Sequence, residues 1–333
     1  MKTNHISIIG SGKWGLSLAA TLSNHKRSIL IWSRTKDSVD EINVFHKSTA
    51  YLGDYILPIQ VKATMDLAYC CQYSDVILLS LPIVYLVPVL EEMATFSLHK
   101  KQFILTSKGL YKGKTISTIM ESLGLLHVNQ LSVLSGPSFA SELLEHKKTA
   151  MVLASKQSIS SLEIIQRLFT SADLRIYLST DVEGVEYCGA LKNVYAIASG
   201  IIAGANLGDN AQAALLTRSI HELRGVMIQL HFQESTLYGL AGIGDLFLTC
   251  SSKQSRNYRF GYAIGQCQSV EEVKKTFHET IEGLSTLDEI YQLSKKMNLQ
   301  TPIMISLYQL IYESRNLHEI IDEIMLRNRV MEL

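Results

Sequence analysis

The first half of the chain alternates short apolar runs with stretches of helical periodicity. The runs read HISIIG, RSILIWS, DVILLSLP, QFILTSKG and LSVLSGP, and a further pair, TAMVLAS and DLRIYLS, follows before residue 180. Because these runs are continuously apolar rather than alternating, they are typical of strands buried on both faces of a sheet. Strands interleaved with helices predict an α/β fold, a Rossmann-like doubly wound parallel sheet over residues 1–180.

The pattern changes near residue 181. Small residues at helical spacing fill DVEGVEYCGALKNVYAIASGIIAGA and NAQAALLTRSIHELRGVMIQL, and the later stretches SVEEVKKTFHE and TLDEIYQLSKKM are amphipathic with acidic starts. These stretches predict a C-terminal all-α domain over residues 181–333.

Two longer uncharged runs are too short to span a membrane, which takes about 20 apolar residues. Residues 76–90 contain two prolines, and they are predicted to form a buried strand followed by a loop. Residues 193–208 are predicted to form a buried helix. We therefore expect no membrane span.

Composition and charge narrow the class of protein. The 333 residues are 47% hydrophobic and 19% charged with a formal net charge of zero, so no global field attracts nucleic acid or acidic lipid. Five cysteines without a CxxC pair, and no spacing typical of metal ligands, indicate neither a disulfide framework nor a metal site. An N-terminal apolar run of four residues is too short for a signal peptide, and a reducing cytoplasm fits best.

The stretch GSGKWG matches G-x-G-x-x-G between a predicted strand and a predicted helix. Gly10 permits a tight turn, Gly12 lets the backbone approach a pyrophosphate, and Gly15 lets the helix pack closely on the strand. Unpaired N–H groups at the helix N-terminus would face the phosphates. The loop predicts dinucleotide binding, and an ordinary turn is the alternative.

The end of the second predicted strand indicates which dinucleotide binds. An acidic residue there would bond the ribose 2′-hydroxyl of NAD, but Ser33 and Arg34 occupy the place and Asp37 comes later. Arg34 with Lys36 would pair with a 2′-phosphate. This favours NADP(H) without excluding NAD(H), and a solvated basic turn is the alternative.

Two further loops follow predicted strands, at the sheet edge where ligands bind in such folds. Lys108 ends QFILTSK, and Gly136, Ser138 and Ala140 stand in LSGPSFASE. The Gly-Pro-Ser turn would offer backbone N–H groups to an anion or to the nicotinamide amide.

Lys192 lies in an otherwise apolar helical stretch, and Gly189 and Ala196 on the same face leave room beside its amine. Burial would disfavour the charged amine and so suit Lys192 to proton transfer. Asp245, in another apolar stretch, is a candidate partner. The alternative is a lysine whose amine reaches solvent at the helix edge.

The triplet Ser255, Arg256 and Asn257 supplies a hydroxyl, a guanidinium and an amide, which suit a phosphate. Ser255 also fits a helix N-cap, and the two roles are compatible because helix N-termini bind anions. Glu282, in ETIEGLST, is a candidate functional residue whose alternative is a plain cap or turn residue.

Six motifs follow one another along the chain: GSGKWG at 10–15, SKG at 107–109, SGPSFA at 135–140, ALKN at 190–193, GIGDLFLTC at 242–250 and SRN at 255–257. With these motifs in this order, the chain resembles bacterial NAD(P)-dependent glycerol-3-phosphate dehydrogenases over nearly its whole length. The turn at 83–85 is more apolar than the family's usual version, and the loop that carries Asp209 and Gln212 is one that the family also varies.

The resemblance implies roles for these residues. Lys192 would be the catalytic proton donor and acceptor, with Asn193 and Thr249 close by. The substrate, dihydroxyacetone phosphate or sn-glycerol 3-phosphate, would be surrounded by Lys108, Gly136, Ser138, Lys192, Asp245, Ser255, Arg256 and Asn257. NADP(H), or NAD(H), would be held by Gly10, Ser11, Gly12, Trp14, Gly15, Arg34, Lys108, Ala140, Arg256, Thr280 and Glu282.

The same resemblance implies a metal-free reaction that supplies phospholipid synthesis in the cytoplasm, and a homodimer. Two other functions are alternatives. A related β-hydroxyacid dehydrogenase would need a clamp for a carboxylate, and the triplet at 255–257 suits a phosphate better. A sensor that binds NADP(H) without catalysis would have no use for Lys108, Lys192 and Asp245 together.

Overall fold

One sheet of eight strands organises the first part of the computed structural model, which describes residues 4–23, 27–125, 130–267 and 269–325. The strand order is β3-β2-β1-β4-β5-β6-β7-β8, which contains the 3-2-1-4-5-6 order of doubly wound dinucleotide-binding folds. The Rossmann-like fold prediction is therefore confirmed. The strands are β1 (His5–Ile9), β2 (Ser28–Trp32), β3 (Val61–Thr64), β4 (Val76–Leu79), β5 (Gln102–Leu105), β6 (Leu131–Ser135), β7 (Thr149–Ser155) and β8 (Leu174–Ser179).

Helices connect these strands. Every residue of β4 and β6 is buried, as expected for strands covered on both faces. The helices are α1 (Lys13–Ser23), α2 (Lys36–Phe45), α3 (Thr49–Leu52), α4 (Leu67–Tyr73), α5 (Ile83–Met93), α6 (Ile116–Ser122), α7 (Ala140–Leu144) and α8 (Ile159–Phe169).

Two features of the sheet differ from the sequence prediction. The pair β6–β7 is antiparallel, whereas the other neighbouring strands run parallel. The connection between β6 and β7 contains only the five-residue α7, and a connection without a long packed helix suits an antiparallel return. The strand β3 was not predicted, because its VKAT sequence places the exposed Lys62 between two buried residues.

Residues 83–93 form the helix α5, so the loop predicted in that region is wrong. Ile83, Leu86, Val87 and Leu90 are buried at helical spacing, a signal outweighed in the prediction by the two prolines. Pro82 is the N-cap and costs no intrahelical bond. Pro88 lies inside the helix and removes one hydrogen bond.

The second part of the chain is helical throughout its described residues, as predicted. The prediction of a buried helix at 193–208 is confirmed, because most of that segment lies in α9, whose central residues are buried on every side. No helix in the described ranges is long and apolar enough to cross a membrane. The helices are α9 (Val182–Gly204), α10 (Asp209–Gln229), α11 (Glu234–Leu237), α12 (Asp245–Ser251), α13 (Arg256–Cys267), α14 (Val270–Thr276), α15 (Glu282–Met297), α16 (Pro302–Tyr312) and α17 (Leu317–Met325), with a kinked turn at Leu240–Gly244.

The chain divides into two compact units. The first comprises Met1–Lys108 and Thr115–Val182, and the second comprises Gly109–Lys114 and Glu183–Leu333. The short segment Gly109–Lys114 is tied to the helices of its unit, since Glu289 accepts hydrogen bonds from the backbone N–H groups of Lys112 and Gly113 at 2.7 and 2.5 Å.

Candidate active site

The glycine loop of the first unit combines close packing with an open face. A Cβ at Gly10 would lie 2.6 Å from the Ser80 carbonyl oxygen, and a Cβ at Gly15 would lie 2.3 Å from the Gly10 carbonyl oxygen. A Cβ at Gly12 would meet nothing within 4 Å. Gly10 and Gly15 therefore hold α1 against the sheet, while the space above Gly12 and the start of α1 fits a pyrophosphate.

Hydroxyl groups line this loop where a carboxylate is found in NAD-binding folds. The Ser11 and Ser33 hydroxyls form a hydrogen bond of 2.8 Å, which joins the loop to the end of β2. Trp14, in the first turn of α1, is partly buried against the core of the unit. The Ser80 hydroxyl, which the sequence analysis did not single out, is buried beside Gly15 with no hydrogen-bond partner among the described residues.

Arg34 follows Ser33 in the sequence, and its guanidinium lies over an aromatic ring. Its guanidinium carbon lies 4.4 Å from the centre of the Tyr85 ring, and both side chains are exposed. Tyr85 was noted in the sequence only as part of an apolar turn, because contacts between residues 51 positions apart leave no local signal. Lys36 is the first residue of α2 and is also exposed.

The loops after β5 and β6 come together within the first unit. Lys108 Nζ and Ser138 Oγ both donate hydrogen bonds to the Gly136 carbonyl oxygen, at 3.2 and 3.0 Å. Gly136 has φ +129°, and a Cβ there would approach Met151 Cα to 3.1 Å, so this turn requires glycine. Ala140 is the first residue of α7.

In the second unit, Lys192 on α9 donates a hydrogen bond to Asp245 Oδ1 at the start of α12. Lys192 is 7% exposed and Asp245 1%, so the alternative of a lysine that reaches solvent is wrong. Thr249 Oγ1 donates to the Asp245 backbone carbonyl at 2.6 Å, one turn further along α12. A buried amine held by a buried carboxylate is a geometry suited to proton transfer.

Asn257 joins three helices beside this pair. Its Nδ2 donates to Asn193 Oδ1 at 2.9 Å, and its Oδ1 accepts from the Gly283 backbone N–H at 2.9 Å. Asn193 directly follows Lys192, and its own Nδ2 is buried without a partner among the described atoms. The carboxamide of Asn257 therefore connects α13 with α9 and with the N-terminus of α15.

The other predicted residues of the second unit lie at helix starts or in loops. Ser255 Oγ accepts a hydrogen bond from the Tyr258 backbone N–H at 3.2 Å, which confirms the expected N-cap of α13. Arg256 begins α13 and is exposed. Thr280 is exposed, and Glu282 is partly buried as the first residue of α15.

Comparisons with known proteins identify one family over nearly the whole chain. The family described as NAD-dependent glycerol-3-phosphate dehydrogenase N-terminus matches residues 5–160, and the corresponding C-terminus family matches residues 181–322. The chain is 37% identical over 330 residues to a glycerol-3-phosphate dehydrogenase [NAD(P)+] of Staphylococcus haemolyticus, covering 98% of this chain and 99% of the relative.

Solved structures give the same result. A crystal structure of glycerol-3-phosphate dehydrogenase from Coxiella burnetii superposes with a TM-score of 0.92 at 33% identity, covering 97% of this chain and 99% of that one. A glycerol-3-phosphate dehydrogenase from Plasmodium falciparum, at 24% identity and a TM-score of 0.87, covers 98% of this chain and 96% of that one, and it shows the shared fold.

Proposed function

Since this chain belongs to the family of NAD(P)-dependent glycerol-3-phosphate dehydrogenases, we propose how its own residues carry out the reaction of that family. The chain is an oxidoreductase that uses NAD(P) and interconverts dihydroxyacetone phosphate and glycerol 3-phosphate. The observation that supports the mechanism is the buried pair of Lys192 and Asp245.

When bound, NADPH or NADH would supply the hydride that reduces the carbonyl carbon of dihydroxyacetone phosphate. Negative charge then develops on the carbonyl oxygen, and the Lys192 ammonium donates a proton to it. Asp245 holds the amine in one position, and Thr249 holds the helical turn that carries Asp245. In the reverse direction, Lys192 takes the proton from the hydroxyl.

The phosphate group of the substrate is assigned to the start of α13. A helix N-terminus favours an anion, and the exposed guanidinium of Arg256 adds a two-pronged donor. Ser255 uses one lone pair as the N-cap and keeps its hydroxyl hydrogen to donate. Asn257 keeps a second amide hydrogen, while its other groups hold α9 and α15. Substrate held through its phosphate keeps the carbonyl in a fixed orientation.

The remaining residues are assigned to the cofactor and to the rest of the substrate. Gly10, Gly12 and Gly15 form the cradle for the pyrophosphate, and Ser11, Trp14 and Ala140 contact the cofactor with Arg256, Thr280 and Glu282. Arg34 takes the 2′-phosphate of NADP(H), and Lys108 contacts both the cofactor and the substrate. Gly136 and Ser138 assist in binding the substrate. We further propose that the enzyme acts in the cytoplasm, as a homodimer, and supplies glycerol 3-phosphate to phospholipid synthesis.

The test follows NADPH oxidation by absorbance with dihydroxyacetone phosphate, for the wild type, Lys192→Ala and Lys296→Ala. Lys296 is an exposed lysine of the same unit and serves as the matched control. We expect Lys192→Ala to lose about a hundredfold to ten-thousandfold in kcat while it still binds NADPH, and Lys296→Ala to keep its activity. Wild-type protein that binds NADPH but leaves dihydroxyacetone phosphate unchanged would disprove the proposal, and β-hydroxy acids would then be tested as substrates.

A further inference from the structure

We propose that Tyr85 sets the preference for NADPH over NADH by holding the guanidinium of Arg34 in place. The inference rests on the proposed function, in which Arg34 binds the 2′-phosphate. The observation behind it is that the guanidinium lies over the Tyr85 ring, with 4.4 Å between the guanidinium carbon and the ring centre.

The first turn of α5 fixes the backbone that carries the Tyr85 ring. The Tyr85 backbone N–H donates to the Pro82 carbonyl at 2.9 Å, which closes this turn. Ile83 and Leu86 point into the core, so the two residues between them face outward. Val84 is 47% exposed and Tyr85 is 42% exposed. The turn therefore carries the aromatic ring of Tyr85 at the surface of the first unit.

The Tyr85 ring attracts the guanidinium through a cation–π contact and, unlike a carboxylate, does not pair with its N–H groups. The guanidinium has five N–H donors, so those that do not face the ring stay available to an anion. Within the described ranges, no carboxylate forms an ion pair with Arg34. The ring thus removes conformational freedom from an exposed arginine without occupying the donors that would bind a phosphate.

This arrangement favours one cofactor over the other. NADH has no 2′-phosphate, so an ordered Arg34 adds nothing to its binding. The hydroxyl of Ser33, bonded to Ser11, stands at the place of the usual ribose-binding carboxylate, and a neutral hydroxyl is a weaker partner for the ribose 2′-hydroxyl than a carboxylate. An order imposed on Arg34 by Tyr85 therefore increases the affinity for NADPH selectively.

The experiment measures the dissociation constants of NADPH and NADH by fluorescence titration, without substrate. The variants are Tyr85→Ala, Tyr85→Phe, Arg34→Ala and the double variant, and Val84→Ala removes a neighbouring exposed side chain as the matched control. We expect Tyr85→Ala to weaken NADPH binding about twofold to fivefold, the strength of an exposed cation–π contact, and to leave NADH binding unchanged. Tyr85→Phe and Val84→Ala should bind both cofactors like the wild type.

The double variant separates this inference from the function on which it rests. If the ring acts through Arg34, Tyr85→Ala has no further effect in the Arg34→Ala background. Equal weakening of NADPH and NADH by Tyr85→Ala, or an undiminished effect in that background, overturns the role of Tyr85. An unchanged ratio of the two dissociation constants in Arg34→Ala overturns instead the assignment of Arg34 to the 2′-phosphate.

Discussion

Asn257 on α13 donates a hydrogen bond of 2.9 Å to Asn193 on α9, the residue that follows Lys192. The same carboxamide accepts from the backbone of Gly283 at the start of α15. Both Asn257 and Asn193 are buried, so the two bonds are shielded from competition by water. The residue predicted only as a substrate contact thus also ties together α13, the helix that carries Lys192 and the start of α15.

Replacing Asn257 by Ala should therefore lower stability as well as activity. The change leaves the Gly283 N–H and the Asn193 carbonyl oxygen buried without partners, and each such group costs about 1–3 kcal/mol. Urea unfolding would show the loss, and kcat would fall because Asn193, the neighbour of Lys192, is no longer held by Asn257. Ser251→Ala, which removes an exposed hydroxyl from α12, is the control. If Asn257→Ala raises only KM and leaves the unfolding curve unchanged, Asn257 acts only as a substrate contact.

The burial of the ion pair between Lys192 and Asp245 leads to a second prediction about stability. Asp245→Ala leaves the Lys192 amine buried without its carboxylate, and we expect the free energy of unfolding to fall by about 3–5 kcal/mol. The double variant Lys192→Met with Asp245→Leu should recover much of that stability, because neither side chain carries a charge, and it should remain inactive. Thermal unfolding and the NADPH assay test both parts. A double variant as unstable as Asp245→Ala would contradict the electrostatic explanation.

Two glycines of the glycine loop, Gly12 and Gly15, should respond differently to alanine. Gly12 lies outside the left-handed region and faces open space, so Gly12→Ala should keep the wild-type melting temperature. Its methyl group would displace the pyrophosphate from the backbone N–H groups, and NADPH binding should weaken about tenfold or more. Calorimetry and titration of the same samples measure the two effects.

Gly15→Ala is the matched contrast, since its Cβ would lie 2.3 Å from the Gly10 carbonyl oxygen. Overpacking of this kind costs about 1–3 kcal/mol. We expect a clear drop in melting temperature before any cofactor is added. Equal stability of the two variants would show that the loop adjusts to the extra carbon.

The buried thiols of Cys70 and Cys71 should make the folded state less stable at high pH. Burial raises the pKa of Cys70 to about 12, with a smaller effect of the neighbouring Cys71, whose own pKa burial also raises to about 12. The ordinary value is 9.0, so between pH 9 and 12 the unfolded chain loses these protons and the folded chain keeps them. The folded state then binds more protons, and the free energy of unfolding falls as pH rises through this window.

The measurement is urea unfolding at several pH values for the wild type and for Cys70→Ala with Cys71→Ala. Removing the thiols should flatten the decline above pH 9, whatever the change in stability at neutral pH. An identical slope in both proteins would assign the decline to other groups, such as Tyr187, whose pKa burial also raises to about 12.

Local patterns in the sequence determined the class of fold and the glycine loop. A buried strand is continuously apolar, a helix buries every third or fourth residue, and a tight turn before a helix needs glycine, so Gly10, Gly12 and Gly15 are recognisable from spacing alone. The two prolines at 82 and 88 led to the wrong prediction of a loop instead of a helix, because whether a helix accepts a proline depends on the side chains that it buries. The antiparallel pair β6–β7 also lacked a local signal.

The tertiary structure alone decided which distant residues meet. Lys192 and Asp245 were each recognisable as charges in apolar stretches, and the sequence suggested their pairing, but only the packing of α9 against α12 establishes it. The cation–π contact of Arg34 with Tyr85 and the bond between Asn193 and Asn257 join residues 51 and 64 positions apart. Such contacts depend on how whole helices and strands pack, and no short stretch of sequence contains that information.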